Sequence, residues 1–206
     1  MDKELKMVLE ESHHQITQLQ TQAALLKNYM ETPEEHQVKC TTDGACQGNS
    51  GQSSFGFCNK DSRGDLIYAK AKGIGIVTNM EAETSVILSA LRECLRRRLW
   101  NAIIETDSLS LKKIILKTWR IPWEIIEKVE EIWELLQKTR ATITHVFREG
   151  NCLVDALSNI AIESQRDNEY QAWQELPLVL KKILNSDKAQ IPNYRIKTRK
   201  ITHNDT

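Results

Sequence analysis

The sequence predicts an α/β fold built on a five-stranded mixed sheet, its first three strands antiparallel, with helices on both faces and an amphipathic helix ahead of it. Three observations lead there. Strand-length segments separated by turn residues follow one another between residues 37 and 73. The apolar period then changes from two to 3.6, and helical and strand-like segments alternate from that point on. Strands in succession followed by helix–strand alternation give a mixed sheet, because parallel neighbours need a crossover and hairpin neighbours do not.

Each element has its own signal. Leu5, Leu9, Ser12, Ile16, Leu19, Ala23, Leu26 and Met30 fall at spacings of three and four, the seam of a helix that stops before Thr32-Pro33. It reads either as a dimer or partner helix or as a flanking helix docked on the domain. Gln37 to Asp43 has strand character, and Gly44, Gly48, Asn49, Ser50 and Gly51 punctuate its end. Ser53 to Asn59 and Asp65 to Gly73 flank Lys60 to Gly64, where Gly64 supplies a hairpin's positive φ. Asn79 can cap a helix whose apolar face is Ala82, Val86, Ala90, Leu91, Cys94 and Leu95. Ala102 to Asp107 is the fourth strand. Leu109 to Thr118 and Trp123 to Lys138 read as helices on either side of Ile121-Pro122, Thr142 to Phe147 is the fifth strand, and a last helix spans Asn151 to Ser164. Trp119, Trp123 and Trp133 are read as packing residues. The chain thus divides into an N-terminal helix and linker (1–36), a central domain (37–165) and a basic tail (166–206).

Composition narrows the function. With 206 residues the chain has room for one ordinary domain plus appendages, and 27% charged against 40% hydrophobic residues allows a packed core. No run of about 18 apolar residues is present, and Asp2, Lys3 and Glu4 open the chain, so membrane insertion and secretion are not expected. Five cysteines without a C-x-x-C pair suit neither a disulfide framework nor a zinc site, which points to a reduced intracellular protein, expected to be a monomer. The zero net charge hides a gradient: −4 over residues 1–36, −1 over 37–176 and +5 over 177–206. A polyanion would meet the C-terminal end first.

Asp43, Glu83, Asp107 and Asp155 stand among apolar residues on elements that face the core. Carboxylates brought together there need a cation to offset their repulsion, and oxygen ligands with no His or Cys among them suit Mg²⁺, or Mn²⁺. Two such ions could carry out metal-assisted phosphodiester cleavage. Spacing alone leaves a second reading open, in which Asp43 and Asp107 are turn or helix caps.

The local sequences add to this. Thr42-Asp43-Gly44-Ala45-Cys46-Gln47-Gly48-Asn49-Ser50-Gly51, Thr78-Asn79-Met80-Glu81-Ala82-Glu83, Glu105-Thr106-Asp107-Ser108 and Asn151-Cys152-Leu153-Val154-Asp155-Ala156-Leu157-Ser158 occur in the order found in a known family. From about Lys39 to Ser164 the chain resembles a type 1 ribonuclease H domain. More narrowly it is similar to the plant RNase H-like domains related to non-LTR retroelement reverse transcriptases. The resemblance implies the RNase H-like fold and cleavage of the RNA strand of RNA·DNA hybrids with two Mg²⁺ ions. It also implies that Asp43, Glu83, Asp107 and Asp155 are the metal ligands, with Asp43 shared by both ions. Gly44, Cys46, Asn49 and Asn79 match positions that sense the RNA 2′-hydroxyls, and Thr78 one that contacts a phosphate.

The chain departs from the family pattern in places. Ser50 stands where a proline is usual, Leu109 where many members carry a glutamine, and Ser53-Ser54 where they carry small Ala or Gly residues. These changes keep an alternative in view: a weakly active or inactive retroelement-derived module that binds nucleic acid, or a protein through the helix Leu5 to Met30. The cluster Arg92, Arg96, Arg97 and Arg98 reads as a solvated helix face before a phosphate track.

Overall fold

The computed structural model describes residues 37–189. The expected helix Leu5 to Met30 and the basic stretch Lys197 to Lys200 lie outside the described residues.

Three long strands come first: β1 (Lys39–Cys46), β2 (Gly51–Lys60) and β3 (Leu66–Val77), paired antiparallel in sequence. β4 (Ile103–Thr106) runs parallel to β1, and β5 (Thr142–His145) parallel to β4. The sheet does not stop at five strands. β6 (Asp167–Tyr170) adds antiparallel to β3, giving the order β5-β4-β1-β2-β3-β6. The fifth-strand limit fails because β6, the tetrapeptide Asp-Asn-Glu-Tyr, has almost no apolar content to reveal it. Charge pairs in direct register hold it instead: Lys70 faces Glu169 at 2.7 Å and Lys72 faces Asp167 at 3.0 Å. A short, charged edge strand of this kind also discourages further pairing.

The helices are α1 (Asn79–Arg97), α2 (Leu109–Ile115), α3 (Ile126–Thr139), α4 (Cys152–Ser164) and α5 (Leu178–Lys188). The period of two in the strands divides them between two layers. Phe55, Phe57 and Tyr68 pack beneath Val86, Ile87, Leu91 and Cys94 of α1 and Val129 and Ile132 of α3. Cys58, Ala69 and Ala71 point the other way, against Leu153, Val154 and Leu157 of α4 and Leu180 and Leu184 of α5. Residues 167–188, which the sequence placed in the tail, therefore supply a strand and a packed helix. Lys60 and Asp187 (3.7 Å) and Asp65 and Lys188 (2.5 Å) tie the end of α5 to the β2–β3 hairpin.

Two local expectations change. The N-cap of α1 is Thr78, one residue earlier than expected. Its hydroxyl accepts the Glu81 N–H while the Glu81 carboxylate accepts the Thr78 N–H, a reciprocal capping box that fixes where the helix begins. β1 runs three residues past Asp43, so this carboxylate projects from within the strand, opposite Gly56 of β2, and not from its end. Among the described residues no helix is long and apolar enough to cross a membrane.

Candidate active site

β1 and β4 lie side by side at the centre of the sheet, which brings Asp43 and the residue after β4, Asp107, to one end. Glu83, in the second turn of α1, completes the group, since α1 crosses closely over β1. The approach depends on Gly44. A Cβ there would lie 2.6 Å from the Glu83 nitrogen and 2.7 Å from the Ala82 carbonyl carbon, both backbone atoms that cannot step aside. One carboxylate oxygen from each of Asp43, Glu83 and Asp107 lies within 4.8 Å of the others.

Electrostatics record the cost of this arrangement. Burial pushes the Asp43 carboxyl up to about 6, with the Ser158 hydroxyl pulling the other way and the charges of Asp107 and Asp155 adding to the rise. Burial, then Asp107 and Asp43, hold Glu83 well above the ordinary carboxylate range. Asp107 is raised by its burial too, and Arg148 counters that rise. Glu83 Oε2 and Asp107 Oδ1 are buried with no hydrogen-bond partner. Buried carboxylate oxygens left unpaired beside a like-charged neighbour are costly unless a cation serves them, so the donor set fits a hard divalent ion.

Asp155, in the first turn of α4, stands outside this tight group of three. It accepts a hydrogen bond from Asn159 Nδ2 (3.3 Å) and pairs with Arg148 at 3.8 Å, while its charge still reaches Asp43 and Asp107. The other sequence-selected residues gather at the start of α1. Asn49 Oδ1 accepts the Asn79 N–H (3.1 Å), Cys46 Sγ donates to the Val77 carbonyl (3.2 Å), and Thr78 forms the cap. Cys46, Asn49, Thr78 and Asn79 are thereby joined at the start of α1, whereas Gly44 is buried where that helix crosses β1.

Further residues bear on the site. Ser158 donates to Asp43 Oδ2 at 2.6 Å, and Ser54 donates to the Ser158 carbonyl at 2.6 Å. Arg148 sits on the turn before α4, where its charge acts on Asp43, Glu83 and Asp107. Three arginines on the exposed side of α1 pair with acidic partners, as a solvated helix face would. Arg92 makes a two-pronged pair with Glu131, and Arg96 and Arg97 both bind Glu93. Trp133 donates to the Ile115 carbonyl as a packing residue should, but Trp119 and Trp123 are exposed, which corrects their reading as core.

The family described as Reverse transcriptase-like matches residues 41–161, which contain all four carboxylates. The chain belongs to that family. Solved structures place this RNase H-like domain beside type 1 enzymes. RNase H1 of Halobacterium salinarum is 27% identical with a TM-score of 0.59, over 62% of this chain and 98% of that one. LC11-RNase H1, solved in complex with an RNA/DNA hybrid, is 23% identical with a TM-score of 0.58, over 62% and 97%. The N-terminal RNase H domain of rv2228c from Mycobacterium tuberculosis is 20% identical with a TM-score of 0.60, over 63% and 95%. The last two share the fold. The comparison with curated proteins found no match.

Proposed function

We propose that this RNase H-like domain is an endoribonuclease that hydrolyses the RNA strand of RNA·DNA hybrids with the help of Mg²⁺, two ions being the family's complement and Mn²⁺ a substitute. The observation that carries the reading is the meeting of Asp43, Glu83 and Asp107, with buried, unpaired oxygens on the last two. Asp43, Glu83 and Asp107 would hold metal together, and Asp155 would join them from α4. When bound, such ions activate water and stabilise the leaving oxygen of a phosphodiester.

The chain's own residues do the rest. Burial behind α1 and β1 keeps the carboxylates in a low-dielectric setting where their attraction for a cation is strong. The rim formed by Cys46, Asn49 and Asn79 would offer a small group and amides to a minor groove, where 2′-hydroxyls distinguish RNA from DNA, while Gly44 lies buried behind it. Thr78, which caps α1, falls on the position that contacts a phosphate in the family. The final motif, Asn151 to Asp155, supports placing the chain near the retroelement-related plant domains.

The test is hybrid cleavage by the purified protein in Mg²⁺ and in Mn²⁺, with Asp43→Asn alongside. An amide is a neutral, poorer ligand, so the variant should lose cleavage at least 1,000-fold, roughly the 4 kcal/mol expected of a lost metal ligand. Comparable cleavage by Asp43→Asn would refute the assignment. Absence of cleavage by the wild type, with hybrid binding retained, would favour the binding-module alternative.

A further inference from the structure

The position of Asp43 is over-determined from the side opposite α1. Gly56 lies across from Asp43 in the β1–β2 ladder, and α4 rests directly on it: a Cβ at Gly56 would be 2.7 Å from Leu157 Cβ and 2.9 Å from the Val154 oxygen. This brings two side chains of α4 and its cap onto β1. Asn151 Nδ2 donates to the Thr42 carbonyl at 3.0 Å, one residue before Asp43. Ser158 Oγ lies 2.6 Å from Asp43 Oδ2 and 3.0 Å from the Asp155 carbonyl. A hydroxyl has one hydrogen, and the shorter contact to a charged oxygen claims it. Ser54 on β2 then donates to the Ser158 carbonyl at 2.6 Å, and both serines are fully buried.

We propose that Ser158, held in turn by Ser54, is a positioning residue for Asp43, fixing the rotation of the carboxylate that meets Glu83 and Asp107 so that it is ready to ligate a divalent ion. The inference rests on the proposed metal-dependent nuclease reading and deepens it. A carboxylate free to turn about its last torsion presents a ligand oxygen only part of the time. One whose other oxygen is bound to a buried hydroxyl presents it continuously, which is how outer partners set the affinity of metal sites. The chain also makes sense of Ser54, a hydroxyl buried in a strand interior, whose partner belongs to the helix that carries Asp155.

The test titrates Mn²⁺ into the full chain, reading free ion by electron paramagnetic resonance, and compares wild type with Ser158→Ala, Ser54→Ala and Leu180→Ala. Leu180 is buried on the same face of the sheet, packed with the apolar side of α4, and takes no part in the Ser54–Ser158–Asp43 hydrogen bonds, so it reports what loosening that layer does on its own. Ser158→Ala should weaken Mn²⁺ binding about tenfold and raise by the same factor the Mn²⁺ concentration for half-maximal hybrid cleavage. Ser54→Ala should move both in the same direction by a smaller factor, and Leu180→Ala should move neither. Unchanged Mn²⁺ affinity in Ser158→Ala, or an equal loss in Leu180→Ala, overturns the positioning role while leaving the metal site intact. A wild-type chain that binds no Mn²⁺ overturns the metal reading itself, and this inference with it.

Discussion

Asp43 shows how one buried carboxyl can cost stability in a way that its proposed role as a metal ligand would explain. Its carboxyl sits at about 6 in the folded chain against 3.8 for an ordinary aspartate, so without a cation the folded state holds the proton that the unfolded state has released. Stability linked to this group is therefore fully present below about pH 4 and is lost as pH rises through about 6, by roughly 3 kcal/mol. Glu83 and Asp107 are shifted in the same direction and add to the trend. Asp43→Asn, which removes the charge and can still accept from Ser158, should raise the melting temperature at pH 8 in EDTA and leave it nearly unchanged at pH 4. A lower melting temperature at pH 8 would mean that the carboxylates do not repel one another as the geometry implies. Addition of Mn²⁺ should stabilise the wild type at pH 8 and not the variant. The acidic residues themselves were legible in the sequence, since charge among apolar neighbours on core-facing elements stands out. Ser158 was not, because its partner lies 115 residues away and nothing in local pattern joins a helix serine to a strand aspartate.

Packing between neighbouring elements decides whether those residues meet. Crossing of β1 and α1 hinges on the bare Cα of Gly44, so Gly44→Ala must push α1 away from the strand, at a cost on the order of 1–3 kcal/mol. Circular dichroism should show the fold retained with a lower melting temperature, and the stabilisation by Mn²⁺ should largely disappear because Glu83 moves from Asp43. On the other layer, Leu180 of α5 is fully buried against the sheet, and Leu180→Ala should destabilise by about 2–5 kcal/mol in urea denaturation. A negligible effect would show that α5 contributes nothing to the core. The core strands and helices could be read from period because their apolar residues repeat. β6 could not, since its stability comes from Lys70–Glu169 and Lys72–Asp167 across a register that only the folded sheet reveals. The cap of α1 shows the same limit in miniature. Thr78 and Asn79 are both good cap residues, and the choice falls to Thr78 because Glu81 stands three positions beyond it to close the box, while Asn49 meets the Asn79 N–H from the loop after β1.

Charge is distributed so that the domain and the end of the chain should do different things to a polyanion. Residues 37–176 are nearly neutral at −1, and three of the four arginines at the end of α1 are engaged by Glu93 and Glu131, which leaves that cluster poorly placed to add phosphate contacts. Residues 190–206 carry Arg195, Lys197, Arg199 and Lys200 against a single Asp205. Each phosphate neutralised by such a side chain releases counterions and steepens the fall of affinity with salt by about 0.9 in the logarithmic slope. Removal of residues 190–206 should therefore flatten the salt dependence of hybrid binding in EDTA by up to about 4, and should weaken binding to RNA·DNA hybrid and to duplex DNA by the same factor. Any preference for the hybrid should survive the truncation, because charges of this kind contact phosphates and cannot sense a 2′-hydroxyl, the role proposed for Cys46, Asn49 and Asn79. Fluorescence anisotropy with both duplexes at two salt concentrations checks this. A truncated chain that lost its hybrid preference would place discrimination in the C-terminal end and take it away from the rim beside Glu83.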